Sequence, residues 1–145
     1  LNKDFETITN AELHELYQVN VFGVAQFIQG LLPLLRQSSK AHVVNIGSMG
    51  GYQGSVKFAG LSAYSSSKAA LACLTQCLAE EYKNTNIKFN CLALGSADTA
   101  MLRAAFPNYQ APVTATEMAA YVVEFALNRS KLMNGMVVPV SLSNP

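Results

Sequence analysis

The sequence predicts an α/β fold in which a parallel sheet of about three strands is flanked by long helices. One observation behind this prediction is the repeated alternation along the chain of helix-type apolar periodicity with short apolar runs typical of buried strands. The other is the helix between each predicted strand and the next, because parallel neighbours require such crossover connections. Half of the 145 residues are hydrophobic and 13% are charged, a balance that excludes a disordered chain.

The first predicted helix begins near Thr9, where Thr9 and Glu12 have the pattern of a capping box. From Leu13 onwards apolar residues occupy nearly every side of the helix, so we expect it to be covered on most sides. No charged residue occurs between Glu15 and Arg36, and this length would also suffice to cross a bilayer. Because amide side chains interrupt the segment, a buried or interface helix is favoured over a membrane span.

The remaining predicted elements alternate strands with helices: a strand over 43–46, a glycine-rich stretch over 47–54, a helix over 62–83, a strand over 87–94, an irregular region over 96–113, a helix over 114–128 and a strand over 136–140. A second capping-box pattern, Thr114 with Glu117, opens the last of these helices. The resulting order of elements is typical of a parallel sheet with helices on both faces.

These elements amount to about half of a doubly wound nucleotide-binding domain. Such a domain consists of two βαβαβ halves, the first of which carries a G-x-G-x-x-G turn for the pyrophosphate. The glycines at 47, 50, 51 and 54 have a different spacing. The chain also begins with Leu1 rather than Met. We therefore expect residues 1–145 to be a single partial domain, the C-terminal half of a doubly wound sheet in a longer protein.

Charge and cysteine content restrict the possible partners. The net charge is +1 and the basic residues form no cluster, so nucleic-acid binding is not expected. The three cysteines have spacings unlike a metal knuckle, which favours reduced thiols and a cytoplasmic location. Cys73 and Cys77 are expected to pack against a neighbouring helix. His14 and His42 lack acidic or cysteine neighbours at ligand spacing, so no metal site is predicted.

Four polar residues are candidates for chemistry. Tyr64 and Lys68 stand four apart near the start of the second long helix and share one face. Alone, this pair has an alternative interpretation, a tyrosine ring resting against an exposed lysine stem. Ser48 follows a predicted buried strand, where the carboxyl end of a sheet places groups that contact ligands. Asn20 interrupts an apolar helix, so its amide needs a partner.

Together these segments resemble the C-terminal portion of the short-chain dehydrogenase/reductase family. Four separated motifs carry the resemblance in the family's order: Asn20-Val21-Phe22-Gly23, Val43-Val44-Asn45-Ile46-Gly47-Ser48, Ala63-Tyr64-Ser65-Ser66-Ser67-Lys68-Ala69-Ala70 and Leu94-Gly95-Ser96-Ala97-Asp98-Thr99. The resemblance covers essentially the whole chain. Leu94 departs from the family, which usually has proline there.

The resemblance implies an oxidoreductase that transfers a hydride between a nicotinamide cofactor and a small carbonyl or alcohol substrate. Tyr64 would be the general acid/base, and Lys68 would support its phenolate form. Ser48 would polarise the substrate oxygen, and Asn20 would hold a water in the proton relay. A lysine charge about 4 Å from a tyrosine phenolate stabilises it by roughly 1 kcal/mol in water and by about 4 kcal/mol in a partly buried site. Tyr64 and Lys68 therefore need to be shielded from water in order to act in proton transfer.

The resemblance also implies NAD or NADP as the cofactor. Lys68 would hydrogen-bond the nicotinamide ribose beside Tyr64. The nicotinamide end would contact Gly95, the backbone near Ala97 and the hydroxyl of Thr99.

The resemblance also implies an assembly, because the two long helices correspond to those that pair across the family's usual dimer interface. Their scarcity of charge fits such burial, and a homodimer or homotetramer is expected, with no membrane partner. A second function remains open, a non-enzymatic scaffold or oligomerisation module that lacks cofactor binding.

Overall fold

The computed structural model describes residues 1–129 and 131–142, which form a three-stranded parallel sheet in the order β1-β2-β3. The strands are β1 (Ala41–Ile46), β2 (Ile87–Leu94) and β3 (Val137–Val140). The helices are α1 (Asn10–Tyr17), α2 (Gly23–Gln37), α3 (Ser62–Glu81), α4 (Ala100–Ala105) and α5 (Ala115–Asn128). The predicted α/β class and the three predicted strands are confirmed.

One face of the sheet packs against α2 and α3. Ala41 of β1 and Phe89 of β2 join Ile28 of α2 and Ala79 of α3 in one buried apolar cluster. Deeper along the same face, the buried Asn45 amide donates to the Thr75 hydroxyl of α3 at 2.8 Å. The apolar cluster and this hydrogen bond fix α3 against β1 and β2.

The opposite face of the sheet packs against α5. The His42 ring on β1 lies 5.8 Å from the ring of Phe125, which is 1% exposed. The Nδ1 of His42 lies 2.9 Å from the Ala126 carbonyl oxygen. Both faces therefore carry helices, as the order of elements predicts.

The first predicted helix is continuous from Asn10 to Gln37, but a π-helical segment, Gln18–Phe22, separates α1 from α2. Its capping box is confirmed, since Thr9 accepts from the Glu12 backbone and Glu12 accepts from the Thr9 backbone.

Within the described structure this helix is not covered on most sides, so the burial half of the prediction fails and burial at an interface stays a prediction. Val19, Phe27 and Leu34 are 66%, 68% and 62% exposed. Within the described part of the chain, Asn10–Gln37 is the one helical stretch with the length and composition to cross a membrane, a property that it shares with core helices of soluble proteins.

The region predicted to be irregular contains the short helix α4. The Thr99 hydroxyl caps it by accepting a hydrogen bond from the Leu102 backbone at 3.2 Å. Six residues span less than two turns, so they produce no apolar periodicity that could reveal the helix. The second capping box is confirmed at Thr114 and Glu117, which begin α5.

Candidate active site

The carboxyl ends of β1 and β2 bring two candidate segments to one edge of the sheet. Gly47 continues the pairing beyond β1, because its N–H donates to the Leu92 carbonyl at 2.8 Å. Ser48 follows at once, and Gly95 follows β2 in the same way. In an open parallel sheet this edge is where ligands bind.

Ser48 lies next to Tyr64. It precedes a 3₁₀ turn, Met49–Gly51, and its Oγ accepts a hydrogen bond from the Gly50 backbone at 3.1 Å. The Ser48 Oγ and the Tyr64 Cε1 lie 3.5 and 3.9 Å from one common point, the place that a β-carbon on Gly50 would occupy. The hydroxyl and the phenol ring therefore border the same small space.

Lys68 adds a positive charge beside this pair. Its Nζ lies 5.9 Å from the centre of the Tyr64 ring and donates to the Ile46 carbonyl oxygen at 2.8 Å. Burial lowers the pKa of Lys68 from its usual value, and the nearby Cys91 opposes this shift. Because Ile46 ends β1, the ammonium group is held at the edge of the sheet. The structure thus brings Ser48, Tyr64 and Lys68 together.

Asn20 reaches the same helix through a neighbouring serine. Its Nδ2 donates to the Ser67 Oγ at 3.0 Å, and that hydroxyl donates to the Tyr64 carbonyl at 2.8 Å. Asn20 lies in the π-helical segment, which closes where the Gly23 N–H donates to the Gln18 carbonyl. π-Helical turns occur often at functional sites. The polar partner that the Asn20 amide needs is therefore Ser67.

Sequence reasoning did not identify Ser67. It is fully buried in α3, and its hydroxyl is the link between Asn20 and the turn that carries Tyr64. Its place in the sequence holds a weak signal, because a serine one turn from the apolar Leu71 would face the core. Two further serines precede it, Ser65 and Ser66, so composition alone does not single it out.

The predicted cofactor contacts have structural partners of their own. The Gly95 N–H donates to the Val140 carbonyl at 2.8 Å, and a β-carbon on Gly95 would lie 2.5 Å from the Ser141 Oγ. Thr99 caps α4, and Ala97 lies between the two, partly buried. These residues share a loop at the edge that carries Ser48, but no described side-chain hydrogen bond joins them to Tyr64 or Lys68.

The groups at this edge suit the hydroxyls of a ribose. A phenol and an ammonium group together supply donors and an acceptor for the hydroxyls of a ribose. Among the described residues, no three His, Cys, Asp or Glu side chains form a cluster that could hold a metal ion.

Comparison with known proteins identifies the family of the chain. The family model described as short chain dehydrogenase matches residues 1–110. The match includes the segments that carry Asn20, Ser48, Tyr64 and Lys68. The chain belongs to the short chain dehydrogenase family.

Several relatives have recorded names or solved structures. An uncharacterized oxidoreductase of Staphylococcus aureus is 29% identical over 123 residues, 85% of this chain and 52% of the relative. A Pseudomonas aeruginosa rhamnolipids biosynthesis 3-oxoacyl-[acyl-carrier-protein] reductase is 34% identical over 142 residues, 87% of this chain and 55% of the relative. A putative short chain dehydrogenase from Escherichia coli, solved with NADPH, is 29% identical with a TM-score of 0.84, covering 95% of this chain and 57% of the other. The chain thus spans about half the length of these relatives.

Proposed function

We propose that the chain is the C-terminal part of an NAD- or NADP-dependent oxidoreductase that interconverts a small carbonyl compound and an alcohol. The observation that carries this proposal is the convergence of Ser48, Tyr64 and Lys68 at one sheet edge. Membership of the family and the oxidoreductase names of its relatives support it. In this view residues 1–145 are one partial domain, and the remaining phosphate-binding half belongs to the full-length protein.

The chain's own residues would handle the proton and the substrate oxygen. The Tyr64 hydroxyl would exchange a proton with that oxygen, and Ser48 would donate a hydrogen bond to it. The Lys68 charge stabilises a phenolate more strongly once the site is covered from water. Asn20, tied to α3 through Ser67, would hold a water in the proton relay. The nicotinamide, when bound, would supply or accept the hydride.

The proposed cofactor contacts are Tyr64, Lys68, Gly95, Ala97 and Thr99. Solved relatives contain NADPH in one case and NADP in another, which supports a nicotinamide cofactor here. In this family of folds the ribose-recognising residue that separates NAD from NADP lies in the first βαβ unit, so the present residues are compatible with both.

The substitution Tyr64→Phe tests the proton-transfer role. Loss of a general acid/base removes about 100- to 10,000-fold of the rate, so turnover by the full-length protein should fall by that factor. Affinity for the nicotinamide cofactor, measured by fluorescence titration, should change little, because the ring remains. Tyr82→Phe is the matched control, since Tyr82 packs against Phe89 at the far end of α3 and should leave turnover unchanged. Equal turnover in both variants would remove Tyr64 from its role.

The alternative function is a scaffold or oligomerisation module without cofactor binding. It is favoured only by the absence of a G-x-G-x-x-G turn from these residues. Titration of the full-length protein with NADH and NADPH separates the two functions. Saturable binding supports the oxidoreductase, and no binding of either cofactor supports the scaffold.

We also propose a homodimer or homotetramer assembled through the two long helical segments. The exposed apolar side chains of the first segment, Val19, Phe22, Phe27 and Leu34, define what we call the outer apolar face. No charge lies between Glu15 and Arg36, so a second copy could cover this face without burying ions. A cytoplasmic location, a small-molecule substrate and the absence of nucleic-acid and membrane partners complete the proposal.

A further inference from the structure

The turn that carries Ser48 packs unusually close to the helix that carries Tyr64 and Lys68. A β-carbon placed on Gly51 would lie 2.6 Å from the Ala69 backbone nitrogen and 2.7 Å from the Lys68 Cβ. Such atoms essentially never approach within 3.0 Å. The turn can therefore occupy this position only with glycine at 51.

The neighbouring glycine stands in the space between the serine and the tyrosine. A β-carbon on Gly50 would lie 3.0 Å from the Ser65 Oγ, 3.5 Å from the Ser48 Oγ and 3.9 Å from the Tyr64 Cε1. An added methyl group would thus make ordinary contacts with Ser48 and Tyr64 and would crowd only the Ser65 hydroxyl. The tightest of these contacts is with a hydroxyl, which can rotate away.

Space, and not backbone conformation, requires glycine at 51 and favours it at 50. The described residues with positive φ are Gly54, Gly60 and Gly135, so neither Gly50 nor Gly51 is among them. Any residue could adopt their backbone angles, so it is only the close approach of the turn to α3 that disfavours a side chain at these positions.

We infer that Gly50 and Gly51 are positioning residues that set the distance of Ser48 from Tyr64 and Lys68. This inference rests on the proposed function. A side chain at 51 would push the turn away from α3 by about 1 Å, and a misplacement of that size reduces catalytic rates about 100-fold. The two glycines need not touch the substrate to have this effect.

The substitution Gly51→Ala in the full-length protein tests the inference. We expect kcat to fall about 100-fold, while the dissociation constant of the nicotinamide cofactor changes little. Gly135→Ala is the matched control. Gly135 has φ +73° and lies at the amino-terminal end of the sheet, where its N–H donates to the Phe89 carbonyl. The Gly135→Ala substitution should lower the unfolding temperature and leave the kcat of the folded enzyme unchanged.

A rescue experiment separates positioning from general destabilisation. Gly50→Ala should reduce kcat roughly tenfold, because the displaced hydroxyl of Ser65 can move. The double variant Gly50→Ala/Ser65→Ala removes that hydroxyl and should regain most of the lost kcat. Ser65→Ala alone should have the wild-type kcat.

Each outcome decides between the two proposals. Wild-type kcat in Gly51→Ala would overturn the inference and leave the proposed function standing. A loss that Gly135→Ala reproduces at the same unfolding temperature would show a purely structural effect and would also overturn it. A wild-type protein without oxidoreductase activity would overturn the proposed function, and with it the role given to the glycines.

Discussion

His42 shows how a single residue links the sheet to the last helix. Its Nδ1–H donates to the Ala126 carbonyl of α5, and its Nε2 accepts from the Asn90 Nδ2, both at 2.9 Å. Asn90 in turn accepts from the Met136 backbone and donates to the Met133 carbonyl. Every polar atom of the imidazole is thus satisfied only in the neutral form. Burial lowers the pKa of His42 accordingly.

The free energy of unfolding should therefore decrease as the pH falls below about 6.5, the usual histidine pKa. The unfolded chain binds a proton at His42 more readily than the folded chain does, so stability is complete above this value and is lost below it. Urea unfolding of the full-length protein at about pH 7.5 and about pH 5.5 measures the effect. His42→Gln should be less stable overall, with a smaller difference between the two conditions.

An unchanged pH dependence in His42→Gln would contradict this assignment. Glu12 does not account for the difference in stability between these two pH values, because its hydrogen bonds with Lys3 and Thr9 lower its pKa from 4.5 to about 2. Its contribution to stability is present above the unfolded value and is lost only as the pH falls from about 4.5 towards 2.

Local hydrogen bonds define where individual elements begin. At the start of α5, Thr114 accepts from the Glu117 backbone at 3.2 Å, and the Glu117 carboxylate accepts from the Thr114 N–H at 2.9 Å. This helix carries the buried Met118 and Phe125 onto the sheet. The capping box therefore stabilises the whole layer that covers one face.

Replacing the cap should destabilise the protein measurably. Thr114→Ala removes the hydroxyl acceptor and should lower the free energy of unfolding by about 0.5–2 kcal/mol, as measured by urea titration. Thr116→Ala is the control in the same turn, since Thr116 is exposed and alanine favours a helix interior. Equal losses in the two variants would show that the cap does not hold the helix.

At the scale of the whole molecule, the main feature is apolar surface left uncovered by the chain itself. The outer apolar face presents Phe27 at 68% and Val19 at 66% exposure. Cys73 and Cys77 of α3 are also exposed, so the neighbouring helix against which they were expected to pack is absent from the described part of the chain. Several large apolar side chains exposed on one helical segment are typical of an interaction site.

Phe27→Glu should dissociate the proposed oligomer of the full-length protein. Burying an aromatic side chain contributes about 1.5–3 kcal/mol, and in a two-fold interface the loss occurs twice. We therefore expect the dissociation constant to rise by roughly 100-fold or more, measured by sedimentation equilibrium. Leu132→Glu is the control, because Leu132 is 90% exposed and lies outside this face. A wild-type monomer, or equal assembly of the two variants, would overturn the proposal.

Local patterns were sufficient to predict the class of fold, the strands and both capping boxes. Thr9 with Glu12 and Thr114 with Glu117 needed only the hydrogen bonds of one helical turn, and the strands needed only short apolar runs. The helix α4 was missed because its six residues are stabilised by the Thr99 cap and produce no periodicity. Such elements depend on contacts that a one-dimensional pattern does not contain.

The sequence by itself determined which side chains carry the candidate chemistry, because Tyr64, Lys68 and Ser48 stand in recognisable motifs. Only the tertiary structure decided what surrounds them. Lys68 reaches the carbonyl of Ile46, 22 residues away, and the outer apolar face is uncovered although its composition resembles a core helix. Both outcomes depend on which segments meet in space, and that is set by the packing of the whole sheet with its helices.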